Sequence, residues 1–229
     1  MRSIHLAGAT AAVLTTLAVS ASADTMTLTY VDAGPSRAVS YTYDSATGTA
    51  TGGVLNFVGG VRTFCTQFLQ NVGGTNTFDV VDVAQVPEGS TSPGPMGEAR
   101  ATLIRDLYAR NYGTVMAATG EDARNQAAAF SMVIWEITHQ DSLASTAAGI
   151  LDDLDIAAGN AVFTAGTTID GIAATMIANL GGGTDSFMSY GVAGLTNASA
   201  QDMLIVVPGP AGLAAVLGLA GVRGRRRRN

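Results

Sequence analysis

The 229-residue chain contains no lysine, a single cysteine, a single tryptophan and two histidines. Without lysine there is no amine for an internal lysine–asparagine isopeptide staple. One cysteine, Cys65, excludes an intramolecular disulfide, so stability must come from a packed core. Basic residues are scarce and unevenly placed. Arg2 lies at the start, and Arg223 and Arg225 to Arg228 crowd the end. Residues 24–207 keep six arginines against eighteen carboxylates, a net charge of −12. Such a surface repels nucleic acid and anionic lipid headgroups, so no nucleic-acid partner is expected. Asp152, Asp153 and Asp155 lack calcium-loop spacing and read as a solvated helix face. Neither a metal site nor a cofactor is expected.

What is present divides the chain into three. Residues 1–23 combine Arg2, an apolar run from Ala7 to Val19, and Ala21-Ser22-Ala23 before Asp24. That is the pattern of a secretory signal peptide with an A-x-A cleavage site, so export is expected. Residues 24–207 form one domain of roughly 180 residues, enough for one core. Residues 208–229 form a separate tail.

The domain is organised around Ala127 to Gln140, AAAFSMVIWEITHQ. From Ala127 to Ile137 only Ser131 and Glu136 are polar. A helix apolar on nearly all sides is a buried one, and this run is too short to cross a bilayer. Thr119 and Asp122 supply the expected N-cap and a near capping box.

Before it, alternation predicts strands at 25–31, 38–44 and 49–58. A turn falls at Ser45 to Gly48 and a bulge at Gly52-Gly53. The segments 61–70 and 77–86 are also β-rich. Around the central helix, helices are predicted at 98–112, 143–158 and 169–180, then strands at 187–195 and 202–207. The expected fold is a single α+β domain: an N-terminal antiparallel β-sheet or sandwich, a buried central helix with smaller helices, and a closing C-terminal strand.

In the tail, Pro208-Gly209-Pro210 precedes twelve small apolar residues and an arginine cluster, Arg225, Arg226, Arg227 and Arg228. This architecture resembles the PEP-CTERM class of bacterial sorting signals, which exosortase-type membrane proteases recognise and cut. The usual Pro-Glu-Pro stands here with glycine at its centre. The resemblance implies an exosortase-type partner, transient contact of the tail with the inner membrane, and delivery to the cell envelope, cell surface or extracellular matrix.

The domain resembles the bacterial thioester domains over about residues 55 to 207. Phe64-Cys65 in a β-rich segment and the helix motif through Phe130, Ser131, Trp135 and Glu136 carry the match. The resemblance implies a cysteine thiolate that displaces ammonia from a glutamine four residues before the tryptophan. Here that position is Ser131, which has no acyl carbon, so no thioester is expected. Three other glutamines are candidate donors. Gln126 is turned about 140° around the helix and lies about 7.5 Å along its axis; Gln140 lies past the helix end; Gln67 is tightly constrained on the cysteine's own strand.

Cys65 is therefore expected to be a small buried hydrophobe, Ser131 a core serine bonded back to the carbonyl of Ala127, and Trp135 a core anchor. His139, one turn after Trp135, is the one candidate partner for a Cys65 dyad, without an oxyanion elbow or a third orienting residue. The expected function is structural or adhesive rather than enzymatic, toward an exopolysaccharide or a host or cell surface. The alternative is a covalent thioester adhesin or a cysteine-dependent enzyme using Cys65.

Overall fold

The alternation of threonine with apolar residues after Asp24 builds the longest strand, β1 (Thr25–Tyr43). It buries Leu28, Val39 and Tyr43 and leaves Thr25, Thr27 and Thr29 in solvent. The structure, a computed structural model, describes residues 24–89 and 92–207. The predicted leader 1–23 and tail 208–229, with Ala21, Ala23, Pro208, Gly209, Pro210 and the terminal arginines, lie outside the described residues.

The two predicted strands 25–31 and 38–44 are one. The chain does not turn at Gly34-Pro35. Instead the register slips between Ala33 and Ser36, so the strand bulges there and continues. β2 (Ala46–Phe57) runs back antiparallel along it, with Tyr43 opposite Ala46. The connection is therefore the two-residue turn Asp44-Ser45, not Ser45 to Gly48. Both residues have positive φ, 47° and 71°, as a hairpin matched to strand twist requires.

The remaining strands are short: β3 (Arg62–Cys65), β4 (Thr75–Val81), β5 (Ala161–Thr164), β6 (Val192–Thr196) and β7 (Met203–Val206). Together they make one seven-stranded sheet in the order β2-β3-β7-β6-β4-β1-β5, with every pairing antiparallel. Because β1 also pairs with β2, six strands close into a ring and β5 attaches outside on β1. Closure leaves few open edges. The fold is a mixed α+β single domain; the sheet closes on itself instead of stacking as a sandwich.

The helical part follows β4. α1 (Gly97–Leu107), a π-helical turn (Tyr108–Tyr112) and α2 (Gly113–Ala117) run on without a break. Then come α3 (Gly120–His139), α4 (Ala147–Asp153) and α5 (Thr167–Ala178). Thr119 is the N-cap of α3, but its side chain makes no capping bond. Glu121 and Asp122 in the first turn face the positive end of the helix dipole instead. No helix among the described residues is long and apolar enough to cross a membrane.

Several predicted elements are shorter, each for a local reason. The run 77–86 stops at Val81 because the Asp82 carboxylate accepts from the Ala84 N–H at 2.8 Å and starts a 3-10 turn. The helix at 143–158 shrinks to α4, whose start is set by Thr146 accepting from the Gly149 N–H. The strand at 187–195 begins only at Val192, since the Met188 N–H is held by Asp106 at 2.6 Å. The segment 61–70 leaves the sheet after Cys65, where the Thr66 N–H turns to the Asp202 carbonyl. β5 was not predicted, being four residues between helices.

Every residue of α3 from Ala127 to His139 is buried. One side lies on β1 and β2, another on α5. Trp135 is fully buried between Phe68 and Phe163, at ring-centroid distances of 5.5 and 5.7 Å. Trp135→Ala should therefore cost about 3–5 kcal/mol of stability, read from the urea midpoint with an unchanged slope. A shift under a quarter of that range would show that α3 is not the core of the fold.

Candidate functional site

Ser131, Trp135 and His139 follow one another at four-residue spacing and form one stripe along α3. Each meets a different part of the sheet. The Ser131 Oγ accepts the Gly53 N–H of β2 at 2.8 Å, and does not bond back to the carbonyl of Ala127. The Trp135 Nε1–H donates to the Cys65 carbonyl of β3 at 3.2 Å. The His139 ring stands edge-on to Tyr43, with centroids 5.2 Å apart, and lies against Phe68 at 4.6 Å.

The close approach at Ser131 rests on glycine. A Cβ on Gly52 would lie 2.9 Å from Val39 and 3.4 Å from the Ala128 carbonyl. The Gly52-Gly53 pair predicted as a bulge is thus the seat of the helix; the bulge itself is across the ladder, on β1.

Cys65 is 1% exposed, and burial pushes its thiol up to about 12. No cation offsets that. It interacts electrostatically with the Tyr108 phenol, itself raised by burial. A protonated thiol is a poor nucleophile.

His139 does not activate it. Its Nδ1 lies 3.0 Å from the Trp135 carbonyl, which can only accept, so Nδ1 carries the proton and Nε2 a bare lone pair. Burial holds the ring down to about 4. No hydrogen bond joins His139 to Cys65. Trp135 touches both, one through its carbonyl and the other through its indole, and the two dyad candidates are not brought together.

The alternative acyl donors are also occupied elsewhere. Gln126 donates to Asp122, Gln67 to the Ser92 carbonyl, and Gln140 to the carbonyls of Asp153 and Ala158. Phe130 is fully buried against Phe64 and Tyr108. Glu136 points away from the stripe, where one oxygen accepts the Asp155 N–H at 2.9 Å and the other has no partner. Burial raises it to about 8.

Two buried carboxylates had no sequence signal as a structural device. Asp202 accepts the N–H groups of Asn197 and Glu88, tying the start of β7 to the end of β6 and the loop after β4. Asp106 accepts from Arg110, Gly181 and Met188 and anchors the loop before β6. The Asp106–Arg110 pair at i, i+4 is visible in the sequence; its loop contacts are not. Asp152 and Asp153 are exposed as predicted, while Asp155 lies beyond α4 in a loop. Among the described residues no group of three or more His, Cys, Asp or Glu could hold a metal ion.

At the C-terminal end of α3 a cleft of about 390 Å³ opens, lined among others by Tyr43, Arg100, His139, Gln140 and Asp141. Sequence reading considered His139 and Gln140 only as partners of Cys65, not of each other.

No known protein family, curated protein or solved structure matches the chain.

The opposed shifts of Glu136 and His139 predict a pH profile. Unfolding releases Glu136 to its usual 4.5, so between 4.5 and about 8 the folded state holds the extra proton and stability falls as pH rises. His139 is the reverse: between about 4 and 6.5 the unfolded state holds the extra proton and stability rises with pH. The two offset each other up to 6.5, and only the Glu136 loss acts from there to about 8. Its limiting slope is about 1.4 kcal/mol per pH unit. Urea midpoints across pH 6.5–8 should fall for the natural chain and stay level in Glu136→Gln. Equal slopes in both would assign the proton to another group.

Proposed function

We propose that the chain is an exported, non-enzymatic structural or adhesive protein whose domain has a thioester-domain-like fold with a silent acylation site. The observation that carries this reading is the packing of the cysteine strand on the motif helix. Trp135 grips the carbonyl of Cys65, and the position one turn before it offers serine, already engaged by the Gly53 N–H. A carboxamide is what the chemistry needs, and that of Gln67, two residues along the strand, donates to the Ser92 carbonyl. A thiol raised to about 12 also has no appreciable thiolate at neutral pH. These facts favour the structural reading over a covalent adhesin or a cysteine-dependent enzyme.

The signal-peptide pattern and the tail supply the rest of the proposal. The chain leaves through the general secretory route. An exosortase-type protease reads Pro208-Gly209-Pro210 and the arginine cluster while the tail touches the inner membrane. The domain then reaches the envelope, the cell surface or the extracellular matrix, facing an exopolysaccharide or another surface. Its acidity speaks against nucleic acid as a partner.

Ser131→Gln tests the site. The variant places a carboxamide at the motif position, at an overpacking cost of about 1–3 kcal/mol. Intact mass should show the natural chain with no ammonia lost and the variant with partial loss of one ammonia. That loss should be reversed by methylamine and be absent when Cys65 is also replaced. A natural chain already lighter by one ammonia would overturn the silent site. A folded variant that never loses ammonia would reduce the thioester-domain resemblance to a helix pattern.

A further inference from the structure

We infer that residues 155–160 are a strap over the last turn of α3, latched while Glu136 is protonated and released when it loses its proton. The strap joins α4 to β5. Asp155, Ala157, Ala158 and Gly159 are exposed, and only Ile156 is buried. Much of its hold is therefore polar and comes from α3. The Asp155 N–H donates to the Glu136 carboxyl at 2.9 Å, and the Gln140 amide nitrogen donates to the Ala158 carbonyl at 3.3 Å. That amide lies against Gly159, at a φ of 92°, where a Cβ would overlap it. Asn160 closes the strap: its Nδ2 donates to the His139 carbonyl at 3.2 Å, and its Oδ1 accepts the Asp141 N–H at 2.6 Å. Asn160 also lines the cleft at the end of α3, so release loosens one of its walls.

The surroundings of the carboxyl make the latch sensitive to charge. Glu136 is 0% exposed; the Asp155 N–H occupies one oxygen and the other has no partner. A neutral acid is buried there at modest cost, whereas an anion would be buried without a cation. α1 brings Arg100, but the carbonyls of Ile137 and Gln140 hold its guanidinium, and its charge bears on His139. α3 itself brings His139, which burial keeps neutral. Tyr43 ends β1, with Asp44 after it; Cys65 ends β3; Asp141 follows α3. α4 and the strap bring Asp152, Asp153 and Asp155, and α5 brings Asp170, while α2, β2 and β5 carry no charged residue. Asp155 acts on Glu136 by charge and opposes its ionisation, adding to the larger effect of burial. Latched, the carboxyl is raised to about 8; released into water, it returns toward 4.5. Between those values the latched state keeps the extra proton. Its share falls as pH rises, by up to about tenfold per pH unit. A segment with one buried apolar side chain can open while the sheet stays intact. The latch does not depend on the adhesive reading.

Hydrogen exchange of the full-length chain, corrected for the intrinsic pH dependence of exchange, tests the latch between pH 6.5 and 8. Protection of the Asp155 to Asn160 amides should fall about tenfold across that window, in step with titration of the Glu136 carboxyl-carbon resonance. Dilute urea should leave strap exchange unchanged while speeding exchange in β6 and β7, because opening the strap exposes little surface. Glu136→Gln keeps an acceptor for the Asp155 N–H without a charge, and should hold strap protection level over the same window. The latch is ruled out if strap protection is level in the natural chain or falls equally in Glu136→Gln. One urea slope shared by strap and sheet would also overturn it, by assigning the proton to global unfolding alone. Should Glu136→Gln not fold, the natural chain still decides: a Glu136 resonance that titrates without a parallel change in strap protection overturns the latch.

Discussion

Helix α3 is apolar on every side along its C-terminal two-thirds, so no arrangement that leaves one of its faces in water is stable. The rest of the domain is a solution to that constraint. An ordinary surface helix needs one apolar neighbour; this one needs a closed jacket. β1 and β2 provide one wall and α5 another, while α2 and β5 also pack against it. The bent length of β1 makes this possible, since one strand serves the ring at its start and receives β5 at its end. Without the bulge at Gly34-Pro35 the strand could not follow both.

A helix sealed in this way carries its polar groups into a dry interior, where each must be matched. The matches double as joints. Ser131 fastens α3 to β2 and Trp135 fastens it to β3. Thr138 turns back to the Ile134 carbonyl and spends its hydroxyl inside the helix. Arg100 of α1 covers the last free carbonyls, those of Ile137 and Gln140, as a charged C-cap supplied by a neighbouring element. Three polar atoms near this end stay unmatched: one each on Glu136, His139 and Gln140. They lie on the last turn and a half of the helix and its cap.

The legible parts of this architecture were those with long periodicity. The central helix, the alternation of β1 and β2 and the turn-rich first half all follow from apolar spacing sustained over many residues. Trp135 and Phe130 as core residues follow from the same spacing. What escaped was decided by single long-range bonds. Nothing local says that Asp82 will cap a 3-10 turn, that Asp106 will hold Met188 out of a strand, or that AVFT will pair with β1. Ring closure escaped for the same reason: it depends on β7, far along the chain, lying between β3 and β6. At the site the residues were found but their partners were not. Ser131 was expected to bond within its helix because that is the default for a buried helical serine. A glycine pair on β2 brings a stronger, unpaired N–H within its reach.

That exchange makes Ser131 a joint between α3 and β2. The serine hydroxyl fills the hydrogen bond that the Gly53 N–H would otherwise lack. The Cys65 thiol, 1% exposed and raised by burial, is a packed apolar group. Both residues thus contribute to cohesion between α3 and the ring. The stripe Ser131–Trp135–His139 runs from the middle of the jacket to the end of α3, where His139 and Gln140 line the cleft.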